Sequence, residues 1–334
     1  MIIEQDKSLK EFTTFRVGGN ALFFCTVQSE EDLLEALVFA RGKHLPFFVL
    51  GGGSNILISD RGFPGLVIKM EMKGVEIADT RATAKAGEDW DVFVEMMVKE
   101  GLYGVENLSF IPGTVGAAPV QNIGAYGSEV KDTIDIVRAY DTHENVFRDF
   151  SNYDCRFEYR DSLFKKEAGR YVIVSVTFLL KKDGEVNTGY KDIKEYFATK
   201  NITNPTLAEV RNAVVEIRTK KLPDVRMIGT AGSFFKNPVL TSLQAGKLRE
   251  MYPELPIYPV DDTHVKVSLA WILDHVCGFR GVMKGNVGTY KNQALVIVNN
   301  GDATAADIIS FAREIKKIVL EKTGIEIEEE VQMI

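Results

Sequence analysis

The stretch from Leu108 to Gly127, reading LSFIPGTVGAAPVQNIGAYG, constrains this chain more than any other feature. It holds four glycines and two prolines and follows neither a helical nor a strand period. Glycine lets main chain pass close to a bulky neighbour, and proline removes the mobility that would otherwise follow. A connection this long inside a compact domain is uncommon unless it binds something. Its composition is also too apolar for an ordinary surface loop. Gln121 and Asn122 add donors and acceptors suited to reading the edge of a heterocycle.

A second glycine cluster follows the buried-looking strand Leu45–Leu50. In Gly51-Gly52-Gly53-Ser54-Asn55, consecutive glycines let backbone N–H groups converge into an anion-binding nest suited to a diphosphate. It is not a Rossmann fingerprint, because Ile56-Leu57-Ile58 reads as a strand where a helix should open. Taken alone, a triple glycine is explained equally well by a tight hairpin turn.

The chain has 334 residues, enough for two or three domains. A net charge of −7 without a long basic run argues against nucleic acid and against an anionic membrane surface. The three cysteines Cys25, Cys155 and Cys277 are far apart in sequence, which points to a reducing compartment rather than a disulfide framework. The opening MIIEQDKSLKEF lacks an apolar signal region, and the longest apolar-rich stretch, Tyr171–Leu180, is about half a bilayer span. A soluble cytoplasmic protein, without membrane partner and without metal, is expected.

Periodicity expects an α+β chain in segments 1–70, 71–221 and 222–320, with residues 321–334 as a returning strand. Ser29 caps a helix whose face is Leu33, Leu34, Leu37 and Val38 and which Gly42 ends. Asp89–Glu100 is a helix closed by Gly101. Thr133–Tyr140 and Tyr171–Leu180 are strands; helices span roughly 206–221, 266–276 and 304–322, with a strand at Ala294–Val298. Strands and helices do not alternate in a βαβ rhythm, so a doubly wound sheet is disfavoured.

Walker A, HExxH and GxSxG motifs are absent, and the four histidines are too scattered for a zinc site. What is present is GGGSN, IPGTVG, QNIGAYG, YRDSLF, KLPD and GTAGSFFKNP in that order. Together these resemble the UDP-N-acetylenolpyruvoylglucosamine reductase (UDP-N-acetylmuramate dehydrogenase) family over nearly the whole chain. The resemblance implies a two-part FAD-binding region of the vanillyl-alcohol-oxidase-like kind, covering 1–70 and 71–221. A smaller α+β domain, 222–320, would hold the UDP-sugar. It further implies FAD, NADPH as co-substrate, and a product, UDP-N-acetylmuramate, that enters peptidoglycan; non-covalent attachment is expected because neither glycine loop holds histidine or cysteine, and a monomer is expected. By the same likeness the FAD cradle comprises Gly51, Gly52, Gly53, Ser54, Asn55, Pro112, Gly113, Thr114, Gly116, Gln121, Asn122, Gly124, Ala125 and Tyr126. Many relatives carry serines where this chain has Ala117 and Ala118, so main-chain donors must replace those hydroxyls.

Hydride addition to the terminal carbon of an enol ether leaves an enolate-like charge, which needs a cation and then an acid. Arg160, in Tyr159-Arg160-Asp161-Ser162, has the planar fork that grips a carboxylate; alone it reads more readily as a surface turn with Asp161. Ser233, after Gly232 and before two aromatics, can protonate a far more basic carbanion. The resemblance gives these two residues those roles, and gives Glu330 the catalytic carboxylate. The family ending is matched only in part here, and Glu329 stays open as the alternative. Substrate contacts carried over in the same way are Lys221, Asn237, Gln293 and Tyr190, the last on the mobile loop of one subclass. Tyr190 sits in a polar connection without an obvious apolar partner, as a lid residue would. Two other readings compete: a flavin oxidase of the same fold, and a UDP-sugar sensor without turnover.

Overall fold

The computed structural model describes residues 1–334. Its contacts divide the chain into two interleaved units. The first comprises Met1–Lys7, Ala21–Gly52 and Phe63–Thr219; the second comprises Ser8–Asn20, Gly53–Gly62 and Lys220–Ile334.

Two sheets form the first unit. One orders its strands Ile3–Ser8, Asn20–Val27, Phe63–Met70 and Phe47–Leu50, and its last three run parallel. Both faces must therefore be covered, and Leu66, Val67 and Ile68 are wholly buried in succession. The other sheet is antiparallel, in the order Val146–Ser151, Ile134–Asp141, Tyr171–Leu179, Arg81–Lys85 and Val75–Ala78. The helix Trp90–Lys99 packs on it through Trp90 and Phe93, with the Phe93 and Phe178 rings 4.7 Å apart. Asp89 caps this helix at the Val92 N–H, and Gly101 takes the left-handed conformation at its end (φ 69°). Helices Lys191–Thr199 and Leu207–Lys221 share a separate small core of Ile193, Phe197, Val210, Val214 and Ile217.

In the second unit, helix Ala305–Thr323 packs Ile308, Phe311, Ile315 and Val319 into a core with Val287 and Ile297 of the antiparallel strands Val287–Tyr290 and Gln293–Asn299. A three-stranded sheet (Val239–Thr241, His264–Val267, Ile257–Pro259) completes it, and Gln332–Met333 pairs in parallel with Ile56–Leu57.

The α+β architecture agrees with the sequence reading. Two local expectations need correction. The helix over Glu30–Gly42 buries Leu33, Ala36, Leu37 and Ala40, while Val38 is exposed. The helix ends at Gly42 as expected, with Lys43 as its cap and His44 in the left-handed turn (φ 54°). The expected helix at 266–276 begins only at Leu269, because pairing with Ile257 and a bond to the Pro238 carbonyl keep the chain extended to Val267. Ser268 then caps the turn at the Trp271 N–H, and Ile272–Val276 continues as a π-helix.

Candidate active site

The glycine run that ends strand Phe47–Leu50 is pressed against the 112–118 loop. A Cβ on Gly52 would stand 2.7 Å from Gly113 Cα, and one on Gly51 would stand 2.7 Å from Thr114 Oγ1. Only residues without a side chain allow two main chains to meet so closely. The 112–118 loop is itself fixed from behind: Trp90 N–H donates to Gly113 O (3.1 Å), Val115 N–H to Glu88 O (2.9 Å) and Gly116 N–H to Ala86 O (2.9 Å). Lys69 sits under this turn and donates to Gly51 O at 2.5 Å. Burial pushes its ammonium pKa down. A narrow main-chain cradle with one cation beneath it fits a diphosphate-bearing cofactor. Lys69 escaped the sequence reading because it lies in an otherwise apolar strand with no motif around it.

The 122–127 turn carries the cation. Arg160 Nη2 donates to Gly124 O at 2.7 Å, and its guanidinium lies 5.3 Å from the Tyr159 ring centre. Asn122 is wholly buried, and its side chain is spent inside the protein. Its Nδ2 donates to Glu129 Oε2 (2.9 Å) and Glu158 O (3.0 Å), and its Oδ1 accepts the Lys131 N–H (3.1 Å). The idea that this side chain reads a heterocycle edge is therefore corrected, and only its main chain can meet a ligand. Asn122, Tyr126, Arg160 and Phe110 all have left-handed backbone, with φ of 47°, 48°, 56° and 59°. Such strain persists where the surroundings over-determine it, and it gathers at functional sites. Arg218 Nε donates to Phe110 O (3.0 Å); its guanidinium also bonds Tyr126, and burial lowers its pKa. Arg218 stands three residues before Lys221 on the same helix. Tyr190 precedes helix Lys191–Thr199 and meets Tyr126 edge-on, ring centres 5.4 Å apart, so it does have an aromatic partner.

The second unit brings together Asn55, Ser233 and Glu330. Ser233 bridges to Val296, and the next residue, Phe234, takes the Glu330 N–H on its carbonyl at 2.8 Å. Asn55 Nδ2 donates to Glu330 O at 3.2 Å, and Asn55 O receives the Gln332 N–H at 3.0 Å. Ser233 is half-buried, between Gly232 in a left-handed turn (φ 74°) and the fully buried Phe234 and Phe235. Glu329 points elsewhere: both its oxygens lie 2.9 Å from Lys316 Nζ. Asn237 Oδ1 takes the Leu269 N–H (2.9 Å), Gln293 opens the strand beside Ser233, and Lys221 ends its helix. Gly51, Gly52, Arg160 and Tyr190 thus belong to the first unit, and Ser233, Glu330, Lys221, Asn237 and Gln293 to the second.

Residues 21–147 match the family model of an FAD binding domain. With the glycine cradle, this defines a flavoprotein oxidoreductase. Residues 223–334 match the UDP-N-acetylenolpyruvoylglucosamine reductase C-terminal domain. The reductase of that name from Chromobacterium violaceum is 44% identical over 332 residues, 97% of each chain. The one from Flavobacterium johnsoniae is 41% identical over 341 residues, covering all of both. The crystal structure of UDP-N-acetylenolpyruvylglucosamine reductase from Thermus caldophilus superposes with a TM-score of 0.70 at 25% identity, over 100% of this chain and 99% of that one. The chain belongs to the UDP-N-acetylenolpyruvoylglucosamine reductase family.

Proposed function

We propose that this chain reduces the enolpyruvyl group of UDP-N-acetylglucosamine enolpyruvate to UDP-N-acetylmuramate, using FAD and NADPH, in the synthesis of peptidoglycan precursor. Full-length identity above 40% to reductases of that name carries the reading. Bound FAD supplies the carrier that passes hydride from NADPH to the sugar substrate. Gly51–Asn55 and the 112–126 loop hold it, with Lys69 compensating diphosphate charge. The parts 1–70 and 71–221 serve the cofactor, and 222–320 serves the UDP-sugar.

The chain's own groups then manage charge and protons. The Arg160 fork holds the substrate carboxylate, where negative charge gathers as hydride reaches the terminal carbon. Ser233 Oγ gives its proton to the adjacent carbon, and Glu330, whose N–H bonds the carbonyl of Phe234, supports that transfer. The Lys316 pair on Glu329 favours Glu330 over its neighbour for this task. Lys221, Asn237, Gln293 and Tyr190 bind the UDP-sugar. The protein works as a cytoplasmic monomer without nucleic acid.

The test is optical. The purified protein is expected to be yellow, to bleach with NADPH, and to regain colour on adding the enolpyruvyl UDP-sugar without air. Denaturation is expected to release FAD, because Cys25 and Cys155 are buried, with thiol pKa values pushed up to about 11 and about 12, and neither glycine loop holds histidine or cysteine. Rapid colour return in air with no response to the sugar would favour the oxidase, and a colourless protein the sensor.

A further inference from the structure

Asn107 is buried on the short turn Glu106–Leu108, outside every glycine motif. Its neighbours pin that turn: Glu106 Oε2 accepts the Gly104 N–H at 2.7 Å, and the Trp90 indole donates to Leu108 O at 2.8 Å. From this fixed base, Asn107 Nδ2 donates to Tyr126 O and to Asn187 O, each at 2.9 Å. Rotating the amide by half a turn would set its oxygen against those two carbonyls, so its orientation is fixed. The consequence is that Oδ1 is buried with no donor. A fold accepts an orphaned acceptor only where another requirement outweighs it. Here the requirement is the pair of carbonyls, which belong to two different ligand-facing segments.

The second segment has ties of its own, among them Val186 packed on the small helical core. Residues 183–190 contain no helix or strand. Asn187 Nδ2 donates to Gly127 O at 3.2 Å, and Asn187 Oδ1 accepts the Gly189 N–H at 3.1 Å. Tyr190 follows, its ring against Tyr126. We propose that Asn107 is a positioning residue: its amide clasps the 187–190 segment to the 124–127 turn, so that Tyr190 is presented to substrate in register with Arg160. This rests on the reading of Tyr190 as a contact to the UDP-sugar.

The experiment uses the FAD-loaded full chain. Asn107→Asp keeps the shape but offers no N–H at neutral pH, and Asn107→Ala removes both donors without adding a charge. Each is expected to raise the KM for the enolpyruvyl UDP-sugar about tenfold, the scale of one hydrogen bond. FAD content and the rate of flavin reduction by NADPH are expected to stay within about twofold of wild type. Hydrogen exchange of the 184–190 amides, measured without substrate, is expected to quicken about tenfold in both variants. Unchanged exchange and KM in either variant would overturn the clasp, as would equal loss of both half-reactions together with FAD. If Asn107→Asp does not fold, Asn107→Ala decides alone. Because the exchange readout needs no turnover, a wild-type protein that failed to use the sugar would refute the functional reading without touching the clasp.

Discussion

A hydroxyl is a weak acid, and Ser233 earns a catalytic assignment only because its proposed proton acceptor is a carbanion. Its placement next to Phe234, whose carbonyl takes the Glu330 N–H, and ahead of two buried aromatics keeps it fixed and half-dry. If Ser233 acts after hydride transfer, Ser233→Ala should bind FAD and be reduced by NADPH at nearly the wild-type rate. Reoxidation by the enolpyruvyl sugar should slow by about 10²–10⁴, or about 3–5 kcal/mol of barrier. Ser233→Cys should recover part of the loss. Stopped-flow absorbance of each half-reaction alone decides, and wild-type reoxidation by Ser233→Ala would move the acid's role to Glu330. Motifs made Ser233 and Arg160 legible in the sequence. Spent and unspent side chains were not legible: nothing in Gln121-Asn122 tells that the second is buried in three internal bonds. Nor does Glu328-Glu329-Glu330 tell which carboxylate Lys316 takes, since Lys316 comes from a helix whose angle only the fold sets.

At the scale of elements, patterning carried the long helices and buried strands, because caps and apolar stripes are local. Asp89, Ser29 and Thr304 each accept the N–H three residues on, as their positions promise. Glycine is harder, because its letter does not say which of its properties is used. Gly42 has ordinary helical geometry and nothing within 4 Å of a Cβ, so its hydrogen contributes no structural need. Gly52 has Gly113 Cα at 2.7 Å. Gly42→Ala should therefore stabilise slightly, by about 0.4–1 kcal/mol, through reduced freedom of the unfolded chain. Gly52→Ala must part the two loops and should weaken FAD binding by a factor on the order of 10 or more while the chain still folds, since about 1.4 kcal/mol of loop strain suffices. Thermal melts and flavin titration of the two variants test the contrast. Retention of full FAD affinity in Gly52→Ala would mean that the cradle lies elsewhere.

At the scale of the molecule, the interleaving of the units was hidden from the sequence. Residues 8–20 and 53–62 join the C-terminal unit through pairings such as Gln332 with Ile56, and no local pattern announces a partner that distant. Long-range electrostatics is equally silent in the letters. Asp141 ends the strand Ile134–Asp141 with its side chain fully buried. It lies 3.3 Å from Arg170 Nη2 and 3.5 Å from Arg148 Nε, and it accepts the His143 and Glu144 N–H groups at 3.0 and 3.3 Å. Burial raises its pKa, but Arg170 and the two N–H groups together outweigh burial, and the net shift is downward. A carboxylate with a folded pKa below its unfolded value of about 3.9 binds fewer protons in the native state. Its contribution to stability is thus complete above about pH 4–5 and fades as pH falls through 3.9 toward the folded value. Asp141→Asn should lower the unfolding temperature at pH 7 by on the order of 5 °C, the scale of lost charge-assisted hydrogen bonds in a domain of this size. The gap between variant and wild type should then narrow steadily below about pH 4, because protonation gives the native protein the same neutral side chain. Melting curves from pH 7 to pH 3 measure both effects. A gap that stayed constant across that range would show that Asp141 acts through its shape and not through its charge.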